Sequence, residues 1–218
     1  MNTLAAATPD SIKAYSPLGL AFYDALIMNG LAPHVWDCPS ERLVDHYREH
    51  LSRNHADVGV GTGYCLDRAG VDLDRLALID LQPHCLEHTA RRLARFRPEC
   101  HRRDVLRPLR GIGRQFDSIA LNGVLHCLPG SLREKAPVFD HLAMLARPGT
   151  TIFGCTLVSD HIALRWRRRA VHSLLNRLRV IDNRRDIVAD LREALAARFT
   201  DCRVETVGCF ALFSALTQ

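Results

Sequence analysis

The stretch of this 218-residue chain richest in potential chemistry is Asp57-Val58-Gly59-Val60-Gly61-Thr62-Gly63-Tyr64, between a short apolar run and an amphipathic one. Glycines at such a junction let the backbone turn tightly and approach a ligand, and the start of a helix offers it free N–H donors. A nucleotide-type ligand is the reading this supports. The dinucleotide fingerprint GxGxxG is not met, because the third glycine falls at Gly63 with Tyr64 after it. The loop has no lysine either, so it is not a Walker-type phosphate loop. Asp57, two residues before the first glycine, would repel a pyrophosphate and attract an ammonium or sulfonium group. The loop therefore suits a cationic nucleoside better than a dinucleotide.

A second candidate is His126, in Gly123-Val124-Leu125-His126-Cys127-Leu128-Pro129. This segment follows the apolar run 116–122, and open parallel sheets bind ligands beyond the carboxyl ends of their strands. A neutral imidazole there can take a proton from an attacking hydroxyl or enol as a general base. The bland alternatives are that it packs against a ligand or caps the next turn. Two HxxEH strings, His46 to His50 and His84 to His88, have the spacing of paired zinc ligands. They read instead as solvent-facing helix residues, and no metal is expected.

The elements that must position these groups follow from the hydrophobic rhythm. Residues 1–54 read as an N-terminal helical cap. Ser16-Pro17 opens one helix, Asn29-Gly30 closes it, 31–38 is a loop holding His34 and Trp36, and a second helix starts near Pro39 with Leu43, Val44, Tyr47 and Leu51 on one face. Residues 55–218 form one domain. Its apolar runs at 56–58, 76–80, 100–104, 116–122 and 151–158 alternate with helical stretches, notably 83–96 and 137–145, the cadence of a parallel sheet wrapped by helices. Ser131 and Glu134 have capping-box spacing, with Pro137 delaying the regular helix. Helices at 162–178 and 184–199 precede two strands, 202–207 and 210–216, so closely spaced that they must be antiparallel. The fold class is thus α/β, a Rossmann-like seven-stranded sheet of five parallel strands plus a C-terminal antiparallel hairpin, helices on both faces.

Composition narrows the class. With 47% hydrophobic and 24% charged residues the chain is globular, and no apolar run is long enough to span a membrane. The first residues have neither the basic nor the long apolar part of a signal peptide, so a cytoplasmic location is expected. Eight cysteines without a CxxC pair read as reduced, mostly buried small hydrophobes. The net charge of +5 comes almost wholly from arginine, and Arg165-Trp166-Arg167-Arg168-Arg169 is either a solvated helix face or a basic patch for an acidic partner.

The string hydrophobic-acidic-hydrophobic-Gly-x-Gly-x-Gly resembles the first motif of the class I S-adenosylmethionine-dependent methyltransferases. Leu78-Ile79-Asp80, Asp104-Val105, Phe116-Asp117-Ser118-Ile119-Ala120-Leu121-Asn122 and Leu145-Ala146-Arg147-Pro148-Gly149-Thr150 continue it in order. Further strings, Tyr15-Ser16-Pro17-Leu18, Phe22-Tyr23-Asp24, Trp36-Asp37-Cys38-Pro39 and the segment 54–63, resemble small stand-alone methyltransferases of bacteria and fungi, some in polyketide pathways. The resemblance implies S-adenosyl-L-methionine as cofactor, with Asp80 on the two ribose hydroxyls, Asp104 on the adenine amino group and Val105 on its ring. It adds Asp57, Gly59, Gly61, Thr62, Gly63, Leu81, Asn122 and Tyr15 as cofactor contacts and His126 as the catalytic candidate. The N-terminal helices, with Tyr15, Tyr23, His34 and Trp36, would cover cofactor and acceptor, and aromatic faces can hold a sulfonium.

The activity implied is in-line methyl transfer to a small organic acceptor of natural-product or polyketide type. Two other readings stand beside it. One is a nucleic-acid methyltransferase, weakened because the Asn/Asp-Pro-Pro-aromatic string of amino methylation is replaced by Asn122-Gly123-Val124-Leu125. The other is a cofactor-binding protein without transferase activity. A dehydrogenase-like or cofactor-free sheet is the structural alternative.

Overall fold

Strands covered on both faces need apolar side chains at nearly every position rather than at alternate ones. Three segments meet that demand: β1 (Asn54–Val58), β2 (Arg75–Asp80) and β4 (Phe116–Asn122) are buried along almost their whole length. In the computed structural model, which describes residues 20, 22–113, 115–160, 162 and 165–218, they form the middle of a seven-stranded sheet. The others are β3 (Glu99–Arg102), β5 (Ala146–Leu157), β6 (Thr200–Val207) and β7 (Phe210–Leu216), in the order β3-β2-β1-β4-β5-β7-β6. Strands β1 to β5 run parallel, while β7 is antiparallel to both β5 and β6. This is the seven-stranded sheet with a terminal hairpin expected from the sequence. Its edges are polar: β3 is four residues long and mostly exposed, and β6 turns alternate residues to solvent.

Helices cover both faces. On one, Phe139 and Leu142 of Pro137–Ala143 and Leu191 and Leu195 of Val188–Ala196 pack with Ile119, Leu121 and Phe213. On the other, Leu43 and Tyr47 of Ser40–His50, Leu66 of Tyr64–Ala69 and Leu86 of Pro83–Arg92 meet Leu78, Ala120 and Phe153. Each such side chain contributes about 1.5–3 kcal/mol by leaving water. The order β2-β1-β4 reverses the winding at β1, so a crevice opens beyond the carboxyl ends of β1 and β4.

Several boundaries differ from expectation. Asn29-Gly30 does not end the first helix, since a π-helical stretch, Asp24–Leu31, runs through both and one further turn follows at Ala32–His34. Gly30 does not take the left-handed conformation of a helix-capping glycine. Both ends of the segment are anchored elsewhere, Asp24 to Thr62 and Arg92 and the Trp36 carbonyl to the Cys209 N–H, and these ties outweigh a weak local stop. The proposed start at Ser16-Pro17, with Tyr15, lies outside the described residues. The helix expected over 83–96 ends at Arg92, with a 3-10 turn at Ala94–Phe96. The capping box is present and starts a short helix, Leu132–Lys135, that Pro137 follows with a second.

The late helices begin later than their periodicity suggests, at Trp166–Arg177 and Val188–Ala196. Polar residues before the second are engaged elsewhere: Asn183 Nδ2 donates to the Leu157 carbonyl (2.9 Å), and Asp186 accepts from Lys135 (2.6 Å). β5 is assigned from Ala146, but its register against β4 shifts between Ala146 and Thr151, where Gly149 has φ +82°. The Pro148-Gly149 turn thus survives as a bulge within the strand. All eight cysteines are free, most of them buried, though Cys100 is exposed.

Candidate functional site: a cleft at the strand ends

The crevice is a cleft of about 1340 Å3, mouth included, floored by the glycine loop and the ends of β2 and β4. Its shape begins with the loop backbone. The Gly59 N–H donates to the Ile79 carbonyl (2.8 Å), and Gly59 has φ +74° where a Cβ would overlap the Val124 side chain. Gly61, at φ +51°, has nothing within 4 Å of a notional Cβ, so the space above it belongs to the cleft. The third glycine, Gly63, caps the helix Tyr64–Ala69 in the left-handed conformation.

The loop is tied down from behind. Thr62 Oγ1 donates to Asp24 (2.6 Å), Arg92 donates to Asp24 (2.6 Å) and to the Thr62 carbonyl (2.7 Å), and Thr89 Oγ1 donates to the Gly61 carbonyl (3.0 Å). This latch fastens the π-helical segment, whose Ile27 and Met28 line the cleft, to the glycine loop. Nothing in the sequence spacing points to it.

Three carboxylates gather here. Asp57 is buried, receives the Tyr47 hydroxyl (3.2 Å) and is pushed up to about 7, chiefly because burial penalises its charge. Asp80, half-buried at the end of β2, is raised to about 6 by burial, against hydrogen bonds from the N–H groups of Gln82, Gly61, Val60 and Leu81. Asp104 accepts from the Leu106 N–H (2.9 Å) with one oxygen and so caps its turn, and it lines the cleft. Among the described residues none of the three has a salt-bridge partner. A cluster of unpaired acids in a chain of net charge +5 fits a ligand that is itself cationic and rich in hydroxyl and amino donors.

The expected site residues Asp57, Gly59, Gly61, Thr62, Gly63, Asp80, Leu81, Asp104, Val105, Asn122 and His126 all line this cleft, as does Tyr23. His34 and Trp36 do not. His34 is exposed, and Trp36 is buried beneath the β6–β7 hairpin, where its carbonyl accepts from Cys209. Sequence reasoning had read Tyr47 only as one position of an apolar helix face, yet that face aims its hydroxyl at Asp57. It also missed Cys155 and Phe210, whose strands are remote in sequence from the loop. His126 stands at the far side. Its Nδ1 accepts from the Leu157 N–H (3.1 Å), its ring lies edge-on to Phe210 at 6.3 Å, and burial together with the Lys135 charge lowers it to about 3.

Two other motifs look different in three dimensions. His46 of the first HxxEH string is buried rather than solvent-facing, bonded through Nε2 to the Phe213 carbonyl (3.0 Å). Ligand atoms of His46, Glu49 and His50 lie within 4.8 Å of one another, but none of these residues lines the cleft. Arg168, inside the basic run, is buried and ion-pairs with Asp37, so the run is not one continuous solvated face. No helix among the described residues is long and apolar enough to cross a membrane.

Residues 56–152 match a family model described as a methyltransferase domain. The chain is 35% identical to the demethylluteothin O-methyltransferase of Streptomyces thioluteus, over 100% of this chain and 99% of that one. It is 32% identical to a physcion biosynthesis cluster O-methyltransferase of Aspergillus chevalieri, over 96% of each. In fold it is similar to the N-methyltransferase NodS of Bradyrhizobium japonicum, solved with S-adenosylhomocysteine, with a TM-score of 0.67 at 16% identity over 95% of this chain and 98% of that. Likeness along essentially the whole of both chains is more than a shared nucleotide-binding core can explain: this chain belongs to the class I S-adenosylmethionine-dependent methyltransferases.

Proposed function

We propose that the chain methylates an oxygen of a small aromatic or enolic natural-product acceptor of polyketide type. The observation that carries this reading is that one cleft is lined both by carboxylates, Asp57, Asp80 and Asp104, which we assign to the cofactor, and by apolar side chains, among them Ile27, Met28, Leu128, Cys155 and Phe210, which we assign to the acceptor. The relatives named above support oxygen as the target, since both are O-methyltransferases of natural products.

S-adenosylmethionine supplies a methyl group made electrophilic by its sulfonium. The chain's own residues hold and orient. Asp80 takes the ribose hydroxyls, since one carboxylate accepts from both of a cis-diol. The free oxygen of Asp104 takes the adenine amino group, Val105 and Leu81 flank the base, and Asn122 and Thr62 complete the wall. Asp57 beneath Gly59, Gly61 and Gly63 faces the amino-acid end, where a cation restores its charge, and Tyr15 belongs with the covering segment. Alignment of the two reactants in a water-poor cleft is the main source of rate.

Calorimetry with S-adenosylhomocysteine and NAD, then incubation with tritiated donor and a panel of phenols, enols, amines and oligonucleotides, tests the reading. Tight binding of the homocysteine analogue and label on a phenol or enol are expected. Label on amines or nucleic acid alone would replace the acceptor class, and binding without any transfer would favour a non-catalytic role.

A further inference from the structure

The position of His126 at the apolar end of the cleft suggests a general base, but its hydrogen bonds speak for the opposite role. Nδ1 receives the backbone N–H of Leu157 at 3.1 Å, in reach also of the Thr156 hydroxyl at 3.4 Å. A backbone amide has only a proton to offer, so Nδ1 must present its lone pair. In a neutral ring the single proton then sits on Nε2, which has no partner among the described residues and belongs to a side chain lining the cleft. Moving that proton to Nδ1, as a base acting through Nε2 requires, would set N–H against N–H.

The surroundings hold this arrangement. The His126 carbonyl accepts from the Asp182 N–H (2.8 Å), and the buried Lys135 ammonium bonds the Asp182 carbonyl (2.7 Å) and the Asp186 carboxylate (2.6 Å). The charge acting on the ring is that of Lys135, with Asp186, Asp182 and Cys127 around that ammonium, and the Cys155 thiol lines the same cleft. Burial raises the Cys155 thiol well above its ordinary range, so it is no base either. The cleft's carboxylates line the part assigned above to the cofactor.

We propose that His126 is a fixed hydrogen-bond donor, through Nε2–H, to the acceptor oxygen, and that the enzyme therefore takes acceptors that enter as oxyanions: acidic enols and acidic phenols rather than simple alcohols. This rests on the O-methyltransferase reading. The acceptor loses its proton to solvent before binding, and the Nε2–H bond stabilises the anion. The oxyanion then forms the O–C bond as the S–C bond breaks, its electron pair returning to sulfur. No proton is exchanged with the chain. The donor steers the acceptor and selects it by acidity.

Two measurements on the full chain test this. In histidine-15N-labelled protein with S-adenosylhomocysteine, the His126 signals, identified by their loss in His126→Gln, should show an unprotonated Nδ1 and a protonated Nε2 from pH 6 to 9. A protonated Nδ1 overturns the proposal whether or not any acceptor is known. In the same complex, 4-nitrophenol should bind as its yellow anion with its ionisation displaced to lower pH. His126→Leu should abolish that displacement and weaken binding by about ten- to a hundredfold, as loss of a hydrogen bond to a charged group does, while His126→Gln, which keeps a donor, should restore part of it. The pH profile of turnover should follow the acceptor's own ionisation. A profile set by an enzyme group, or phenol turned over as well as nitrophenol, would overturn the oxyanion selection. Failure of every oxygen acceptor alongside methylated amines would instead sink the O-methyltransferase reading and leave the 15N result standing.

Discussion

Of the cleft lining, the glycine loop and the carboxylates Asp80 and Asp104 come from residues 57–104, whereas the side chains assigned to the acceptor come from the π-helical segment, the loop after β4, and the strands β5 and β7. The first half depends on how the main chain turns, so few residues can substitute there. The second depends on which side chains happen to fill it, so it can change without disturbing the sheet. A fold-wide cofactor site joined to a replaceable acceptor wall lets one scaffold serve many acceptors.

If that contrast holds, changes in the loop should damage cofactor binding and the fold together. Gly59→Ala is expected to have the largest effect, because a β-carbon at φ +74° is strained and this one would overlap Val124. Strain of this kind costs about 1–3 kcal/mol before any clash. Thermal melts with and without S-adenosylhomocysteine should show a lower midpoint and a lost ligand shift. A variant with native midpoint and affinity would mean that the loop tolerates what its backbone forbids.

Asp80→Ala comes next. It removes a carboxylate assigned to the ribose, and the loss of hydrogen bonds to a charged group predicts about 1.5–3 kcal/mol, roughly ten- to 150-fold in cofactor affinity. Acceptor affinity, measured at saturating cofactor, should move little. An equal loss on both sides would erase the contrast between the halves.

Asp57 gives a pH test with a defined sign. Burial raises its folded pKa to about 7 from an ordinary 3.8, so the fold binds an extra proton between those values and this group's contribution to stability falls as pH rises through that window. The ammonium group of the ligand's amino-acid end prefers the carboxylate. Affinity for S-adenosylhomocysteine should therefore climb from pH 5.5 to about 7, by at most about tenfold per unit, and level off above. Asp57→Asn should flatten the climb and raise the melting midpoint at pH 8. A wild-type affinity independent of pH would place the ligand's ammonium elsewhere.

The same division decides what was readable in the sequence. The loop 57–64 and Asp80 lie at the ends of runs whose apolar character marks them as strands, and Asp104 follows the polar edge strand β3, which ends at Arg102, so their convergence follows from parallel topology. Strand β4 and the terminal strand β7 were legible to the residue, being almost wholly buried runs with clear stops. What escaped were contacts between different elements: Tyr47 of a helix with Asp57 of β1, the backbone amide of Leu157 on His126, and Lys135 with Asp186. Local signals failed where tertiary ties overrode them, as at Gly30, held inside a helix, and in the segment 183–187, whose polar side chains serve other elements. His126 combines both lessons, since the sequence places it correctly but is silent on which of its nitrogens is engaged.

The smallest expected effect tests whether the halves are separate at all. Asp24 belongs to the segment that carries Ile27 and Met28, and Arg92 binds both Asp24 and the Thr62 carbonyl, so this pair ties the segment proposed as acceptor wall to the glycine loop. It is partly exposed, with side-chain accessibilities of 26% and 23%, and such pairs contribute up to about 1 kcal/mol. Any help that bound cofactor gives to acceptor binding must equal the help that bound acceptor gives to the cofactor, because coupling free energy is reciprocal. Arg92→Gln should shrink both by the same factor, less than about fivefold, with each ligand's affinity alone nearly unchanged. Titrating nitrophenol with and without S-adenosylhomocysteine, and the reverse, measures the factor twice. If Arg92→Gln weakens the cofactor alone and leaves the coupling intact, the latch is part of the cofactor half, and the two halves communicate through some other contact.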